Sequence, residues 1–187
     1  MHVPAAHHAL IAKTDAFDEA VRARRKDDMK CAPGCTACCV VQLTVSEVEA
    51  ALLEEGIARL GPEARERLRR RGEASEATSP CAFLDEAGRC AVYASRPLVC
   101  RTQGLPMRYD EGLAEAQTFG RSEANEALTW CPLNFTLRAP RAEDVLDASR
   151  LNLMIALSNR GAGGDATRRV SLTELARGTS SATLSKV

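Results

Sequence analysis

The stretch Cys31-Ala32-Pro33-Gly34-Cys35-Thr36-Ala37-Cys38-Cys39 places four thiols in nine residues, and the rest of the chain is read outward from it. Pro33-Gly34 interrupts any helix, so the segment reads as a loop. A thiolate is a soft, anionic donor suited to zinc or to an iron–sulfur cluster, and short spacings let one loop wrap a centre. Cys35 and Cys38 have the spacing of two ligands on one tetrahedral ion. Cys38 and Cys39 are neighbours, and in an extended chain consecutive side chains point to opposite sides. The pair is therefore expected to divide its roles. Either the two serve adjacent centres, or one ligates while the other bridges, packs or reacts.

Four further thiols follow at Cys81, Cys90, Cys100 and Cys131. Eight thiols satisfy two four-sulfur sites, or one polynuclear cluster with spares, and spacing leaves both open. Free cysteine is also a small core residue, a role that fits the remote Cys131 best. If the metal reading holds, three or more sulfurs should converge on a shared point. An even count also permits disulfides, but adjacent cysteines rarely bridge each other. The N-terminal sequence lacks the basic start, apolar run and cleavage site of a secretory signal. No window approaches the roughly 18 apolar residues of a membrane span. The expectation is a cytoplasmic protein, where reducing conditions favour metal ligation over disulfides.

The 187 residues suit one domain. With 25 basic and 25 acidic side chains the net charge is zero, which excludes a dominant polyelectrolyte attraction to nucleic acid or an anionic membrane. Hydrophobic residues at 45% are too many for global disorder, yet aromatics supply only 4%. Large core-fillers are scarce, so bound metal is expected to help hold the fold.

The pattern predicts a mainly α, small single domain with irregular cysteine-rich loops and a short β-hairpin, organised around a thiolate metal site. Residues 13–27 have helical composition. His2, His7 and His8 precede them at an end expected to be mobile and exposed. Thr44 with Glu47, or Ser46 with Glu49, has capping-box spacing, so a helix should run through Val48, Leu52 and Leu53 to about Gly56. Pro62 opens another helix carrying Arg65, Arg67, Arg69, Arg70 and Arg71. Cys81 to Tyr93 reads as a hairpin or knuckle turning at Gly88, and Arg96-Pro97 starts a turn or short helix that delivers Cys100. Residues 121–130 read as helical. Residues 141–159 should form the longest helix, with Leu146, Leu153 and Leu157 on one face. Ser171 and Glu174 cap a last short helix, after which the chain frays from Gly178.

Beyond spacing, Cys81-Ala82-Phe83-Leu84, Gly88-Arg89-Cys90-Ala91-Val92-Tyr93 and Arg96-Pro97-Leu98-Val99-Cys100-Arg101 follow the first cysteine group in a recognisable order. Together they resemble the YkgJ-type cysteine-cluster family, often called CxxCxxCC, over roughly residues 28–135. The resemblance implies a zinc- or iron-chelating domain. A related cysteine-rich region in flagellin lysine N-methylases adds protein modification as an activity class. The division that follows is an N-terminal helix and lead-in over 1–30, the cysteine domain over 28–135, C-terminal helices packing on it over 136–178, and a flexible tail over 179–187. All eight cysteines are candidate ligands. Arg96 and Arg101 would offset the negative charge of a thiolate centre and donate hydrogen bonds to sulfur, and Tyr93 would either donate to sulfur as well or cap the core.

Zinc is redox-inert and would act as a staple; iron–sulfur would imply electron transfer or redox sensing. The two are finely balanced, and the reading inclines to zinc because no redox-partner motif is visible. Cys31-x3-Cys35-x2-Cys38 is also the cluster spacing of radical S-adenosylmethionine enzymes, but their β/α barrel needs strand–helix repeats absent here. The first functional reading is a metal-binding protein. The second is an iron–sulfur redox or protein-modifying enzyme. The third is an interaction module whose arginine-rich helix meets an acidic protein partner.

Overall fold

The architecture is that of a computed structural model, which describes residues 1–40, 42–110, 121–122 and 125–179. The expected frayed end from residue 180 onward lies outside the described residues. Among the described residues six α-helices dominate: α1 (Ala5–Arg24), α2 (Glu47–Ala58), α3 (Pro62–Ala74), α4 (Leu98–Arg101), α5 (Ala148–Gly161) and α6 (Leu172–Arg177). The strands are short. β1 (Thr44–Val45) pairs with β6 (Val170–Ser171), and a second sheet runs in the order β3 (Arg121–Ser122), β4 (Asn125–Thr129), β2 (Met107–Arg108), β5 (Leu146–Asp147). The mainly helical expectation holds, with sheet confined to these ribbons.

Helix α2 is the wall between two cores. On one side Val48 and Leu52 pack with Val21 of α1, Leu98 of α4 and Leu151 of α5. On the other, Ala50 and Leu53 pack with Leu68 of α3, Leu175 of α6 and Phe83 of the cysteine knuckle. Such two-sided burial explains why α2 reads Val-Glu-Ala-Ala-Leu-Leu, with no exposed polar stripe in its first two turns. Its start follows the Ser46–Glu49 capping box: the Ser46 amide and hydroxyl donate to Glu49 Oε2 at 3.3 and 2.9 Å.

Three expectations are corrected. Helix α1 begins at Ala5 rather than near residue 13, because Ala5, Ala6, Ala9 and Ala12 favour helix and His7, Ile11, Thr14 and Val21 supply a buried stripe. His7 is thus fully buried rather than part of an exposed end, while His2 and His8 are exposed. Residues 121–122 and 125–129 are strands, not helix. Pairing of Met107 with Thr129 and Arg108 with Leu128 overrides the helical composition there. Finally, α5 begins at Ala148, and Leu146 lies in β5. Leu153 and Leu157 are 58% and 56% exposed, whereas the buried face carries Ala148, Leu151 and Asn159. Asn159 sets that rotation: its Oδ1 accepts from the Val48 amide at 2.9 Å and its Nδ2 donates to Asp165 O at 3.0 Å.

The C-terminal end of α1 is held by a buried ion pair. Arg25 Nε donates to Asp144 Oδ2 at 2.7 Å, and Arg24 adds a contact to Oδ1 at 3.3 Å. Both Arg25 and Asp144 are removed from water. Burial alone would raise the Asp144 pKa, but the hydrogen bonds from Arg25 and the Arg141 amide hold it below the ordinary aspartate value. A depressed native pKa means this stabilisation is present above the unfolded value of about 3.9 and lost as pH falls through the native one. Asp144→Ala should cost about 3 kcal/mol in urea unfolding at pH 7, because it leaves buried Arg25 only the longer contact to Asp28 at 3.9 Å. The difference between variant and wild type should shrink as the pH falls below the ordinary aspartate range.

Candidate thiolate metal centre

Four separate segments deliver the cysteines. The first loop is built from turns: the Cys35 amide donates to Ala32 O at 3.0 Å and the Cys39 amide to Thr36 O at 2.8 Å. The loop is tied to the second segment where the Cys81 amide donates to Cys39 O at 2.8 Å. From Cys81 the chain makes a tight knuckle with a single bridge between Leu84 and Cys90, rather than a hairpin of two full strands. Asp85 Oδ1 accepts from the Ala87 and Arg89 amides at 2.9 and 2.8 Å, and Gly88 takes φ 70° to complete the turn. Phe83 anchors the knuckle in the core at 2% exposure.

Cys100 arrives on α4, whose position is fixed from α2. The Leu98 amide at the start of α4 donates to Glu49 Oε1 at 3.0 Å, while Oε2 of the same carboxylate serves Ser46. One buried acid therefore occupies two helix N-termini, where orphan amides and the helix dipole favour negative charge. Arg101 braces α4 from the other side. Its guanidinium donates to Asp15 on α1 at 2.6 Å, to Arg96 O at 2.7 Å and to Ala94 O at 2.6 Å. These bonds go to oxygen rather than sulfur, so Arg101 clamps the helix that carries Cys100.

Cys38, Cys39, Cys81, Cys90 and Cys100 lie close enough to feel one another's charge. Cys38 and Cys39 do not diverge as an extended strand would require. They lie in a turn, and the interaction between their side chains raises the Cys38 pKa and lowers that of Cys39. Burial, followed by its thiol neighbours Cys81 and Cys90, pushes Cys100 up to about 12. Burial likewise raises Cys81 and Cys90.

Two features oppose this cost of ionisation. Arg96 places its charge near Cys38, Cys90 and Cys100, and its guanidinium stacks 3.6 Å over the ring of the exposed Tyr93. In addition, the nearby backbone amides of Phe83, Val92 and Leu133 pull the Cys81, Cys90 and Cys131 pKa values down, against the larger effect of burial, which leaves all three raised. An amide beside sulfur favours the thiolate over the thiol. The same local device thus recurs at three points of the chain.

Cys31 and Cys131 are neighbours beside Gly104, Cys131 is also near enough to Cys38 to feel its charge, and Cys35 is exposed. Among the described residues, no three His, Cys, Asp or Glu donors stand close enough together to hold a metal ion as they are. The expected convergence of three or more sulfurs on one point is therefore not present in the fold. The donor set itself suits a metal cation: soft sulfur, amide donors and a nearby guanidinium.

Glu49 and Asn134 are site-building residues that spacing alone did not single out. Glu49 was legible only as a cap for its own helix. Asn134, three residues past the last cysteine, belongs to no local pattern. The arginines of α3 are engaged by its own acids, with Arg67 on Glu63, Arg69 on Glu66 and Glu73, and Arg70 on Glu66, while Arg71 donates to Ala82 O.

Fold and site together define a small helical domain that gathers thiols on loops. The profile of the CxxCxxCC family, described as a "putative zinc- or iron-chelating domain", matches residues 30–132, more than half of the chain. The chain belongs to that family. No curated protein and no solved structure matches it.

Alkylation requires the thiolate, so the shifts rank the grouped thiols. In metal-free protein at pH 8, iodoacetamide should label Cys39 before Cys38 and Cys100, as read by peptide mass mapping. Labelling of Cys100 should accelerate only as pH approaches 12.

Proposed function

We propose that this protein chelates a metal ion through cysteine thiolates, with zinc as the ion and Cys38, Cys39, Cys81, Cys90 and Cys100 as the pool of primary ligands. The observation that carries the reading is the tie between the cysteine segments, where the Cys81 amide donates to Cys39 O at 2.8 Å and Leu84 bridges to Cys90, in a chain whose family is described as zinc- or iron-chelating. Thiols from separate segments held together on loops are what a thiolate-bound ion requires. Zinc would supply a redox-inert positive centre. Arg96 then offsets part of the remaining negative charge, and the Tyr93 ring covers the guanidinium from solvent. The scarcity of aromatic residues fits the same reading, because metal binding that draws loops together adds directly to folding stability. The proposal includes a cytoplasmic, reducing location, in which free thiols stay available as ligands. No helix among the described residues is long and apolar enough to cross a membrane.

Anaerobic purification followed by elemental analysis tests the proposal. A colourless protein holding zinc is expected, with zinc content reduced in both C81S and C100S. Chelation should lower the melting temperature of the wild type and leave the zinc-free variants unmoved. A coloured protein with stoichiometric iron and sulfide would replace zinc by an iron–sulfur cluster. Absence of any bound metal, even after reconstitution under reductant, would remove the proposal.

A further inference from the structure

Cys31, the first of the eight thiols, is engaged by a residue beyond the segment that matches the family. Asn134 is 1% exposed, and its side-chain amide is committed at both ends. Oδ1 accepts from the Lys30 amide at 2.8 Å, and Nδ2 donates to Gly104 O at 2.8 Å. Only one orientation of the amide satisfies both partners, because a flipped group would set donor against donor and acceptor against acceptor. In that orientation the remaining Nδ2 proton donates to Cys31 Sγ at 3.3 Å, while a Cys31 S–H would reach Oδ1 only at 3.8 Å. The sulfur therefore meets a donor fixed by bonds to two other segments.

The surroundings leave that sulfur little freedom. Gly104 has φ +94°, and a Cβ there would lie 2.6 Å from Cys31 Sγ and 3.0 Å from Asn134 Nδ2. Cys131 Cβ would lie 4.0 Å from that same added atom, so the two cysteines and Asn134 enclose one small space. The Asn134 loop is pinned against the residues before Cys31, since the Phe135 amide donates to Asp28 O at 2.8 Å from a backbone with φ 55°. Positive φ is uncommon outside glycine, and here it turns the chain back onto the N-terminal segment. Arg22 adds a donor to Cys31 O at 2.9 Å and brings its charge near the thiol.

We infer that Asn134 is the positioning residue for Cys31, orienting its sulfur as a donor that adds to the primary pool from its margin, where neighbouring Cys131 lies near both Cys31 and Cys38. The inference rests on the chelation reading for its purpose, but the contact itself does not. An amide N–H held by two other segments fixes where the sulfur lies and which way it faces, the task of a group that orients a ligand.

Asn134→Asp keeps the oxygen that serves the Lys30 amide and replaces the Nδ2 that donates to both Cys31 Sγ and Gly104 O with a carboxylate oxygen, so the C31S background is needed to separate the sulfur contact from the Gly104 one. In N134D, zinc affinity measured by competition with a chromophoric chelator should fall by about 10–100-fold, the usual cost of losing a group that orients a ligand. Alkylation of Cys31 in the metal-free protein should slow. In the C31S background the same substitution should have no further effect on zinc affinity, because the two side chains act as one unit. Equal zinc affinity and equal Cys31 alkylation in N134D and wild type would overturn the inference. So would an N134D penalty that persists undiminished in C31S, which would assign Asn134 to folding alone. If N134D fails to fold by circular dichroism, N134A carries the same comparisons. Should the wild type take up no metal, the chelation reading fails, and the alkylation comparison alone decides the role of Asn134.

Discussion

The carboxylate of Glu49 is the contact on which the arrangement of this protein depends. It is buried, and it answers Ser46 at the start of α2 and Leu98 at the start of α4. Unsatisfied amides at a buried helix end are costly, and one acid removes that cost for two helices. The consequence is spatial. Helix α2 divides the two cores, and α4 carries Cys100, so the bond fixes the last clustered thiol relative to the scaffold. Arg101 and Asp15 brace the same short helix from α1. A four-residue helix has little stability of its own and owes its position to these neighbours.

At the thiols, burial and charge pull in opposite directions. The scaffold removes water from sulfur, which penalises thiolates, and sets several sulfurs near one another, which penalises them again. Against this it sets backbone amides near Cys81, Cys90 and Cys131, and the Arg96 guanidinium beside Cys38, Cys90 and Cys100. The balance leaves Cys39 alone among the grouped thiols with a lowered pKa. A group of sulfurs in this condition is soft, polarised and short of positive charge. Those are properties a cation would satisfy, and the family description points the same way.

Much of this was legible before any coordinates. Pro33-Gly34 placed the first cysteines on a loop, the Ser46–Glu49 pair marked the start of α2, Pro62 the start of α3, and Ser171 with Gly178 bounded α6. Each signal is local: a ring, a missing Cβ or a side chain reaching three residues along its own backbone. Local signals misled where distant partners decided the outcome. Residues 125–129 have helical composition but pair with β2, and the leucine stripe of α5 faces outward because Asn159 is bound to Val48 and Asp165. The adjacent thiols Cys38 and Cys39 meet because the loop turns there, which alternation along an extended chain does not anticipate.

The amino-acid sequence by itself determined the helical class, the caps, the cysteine loops and the family, since all of these reside in short spacings. Tertiary structure decided which sulfurs are neighbours, that His7 is buried, that Glu49 serves two helices and that Asn134 reaches Cys31. Those relations join residues far apart in the chain, for which no local rule exists. They are set by which buried donor finds which acceptor once the helices have packed.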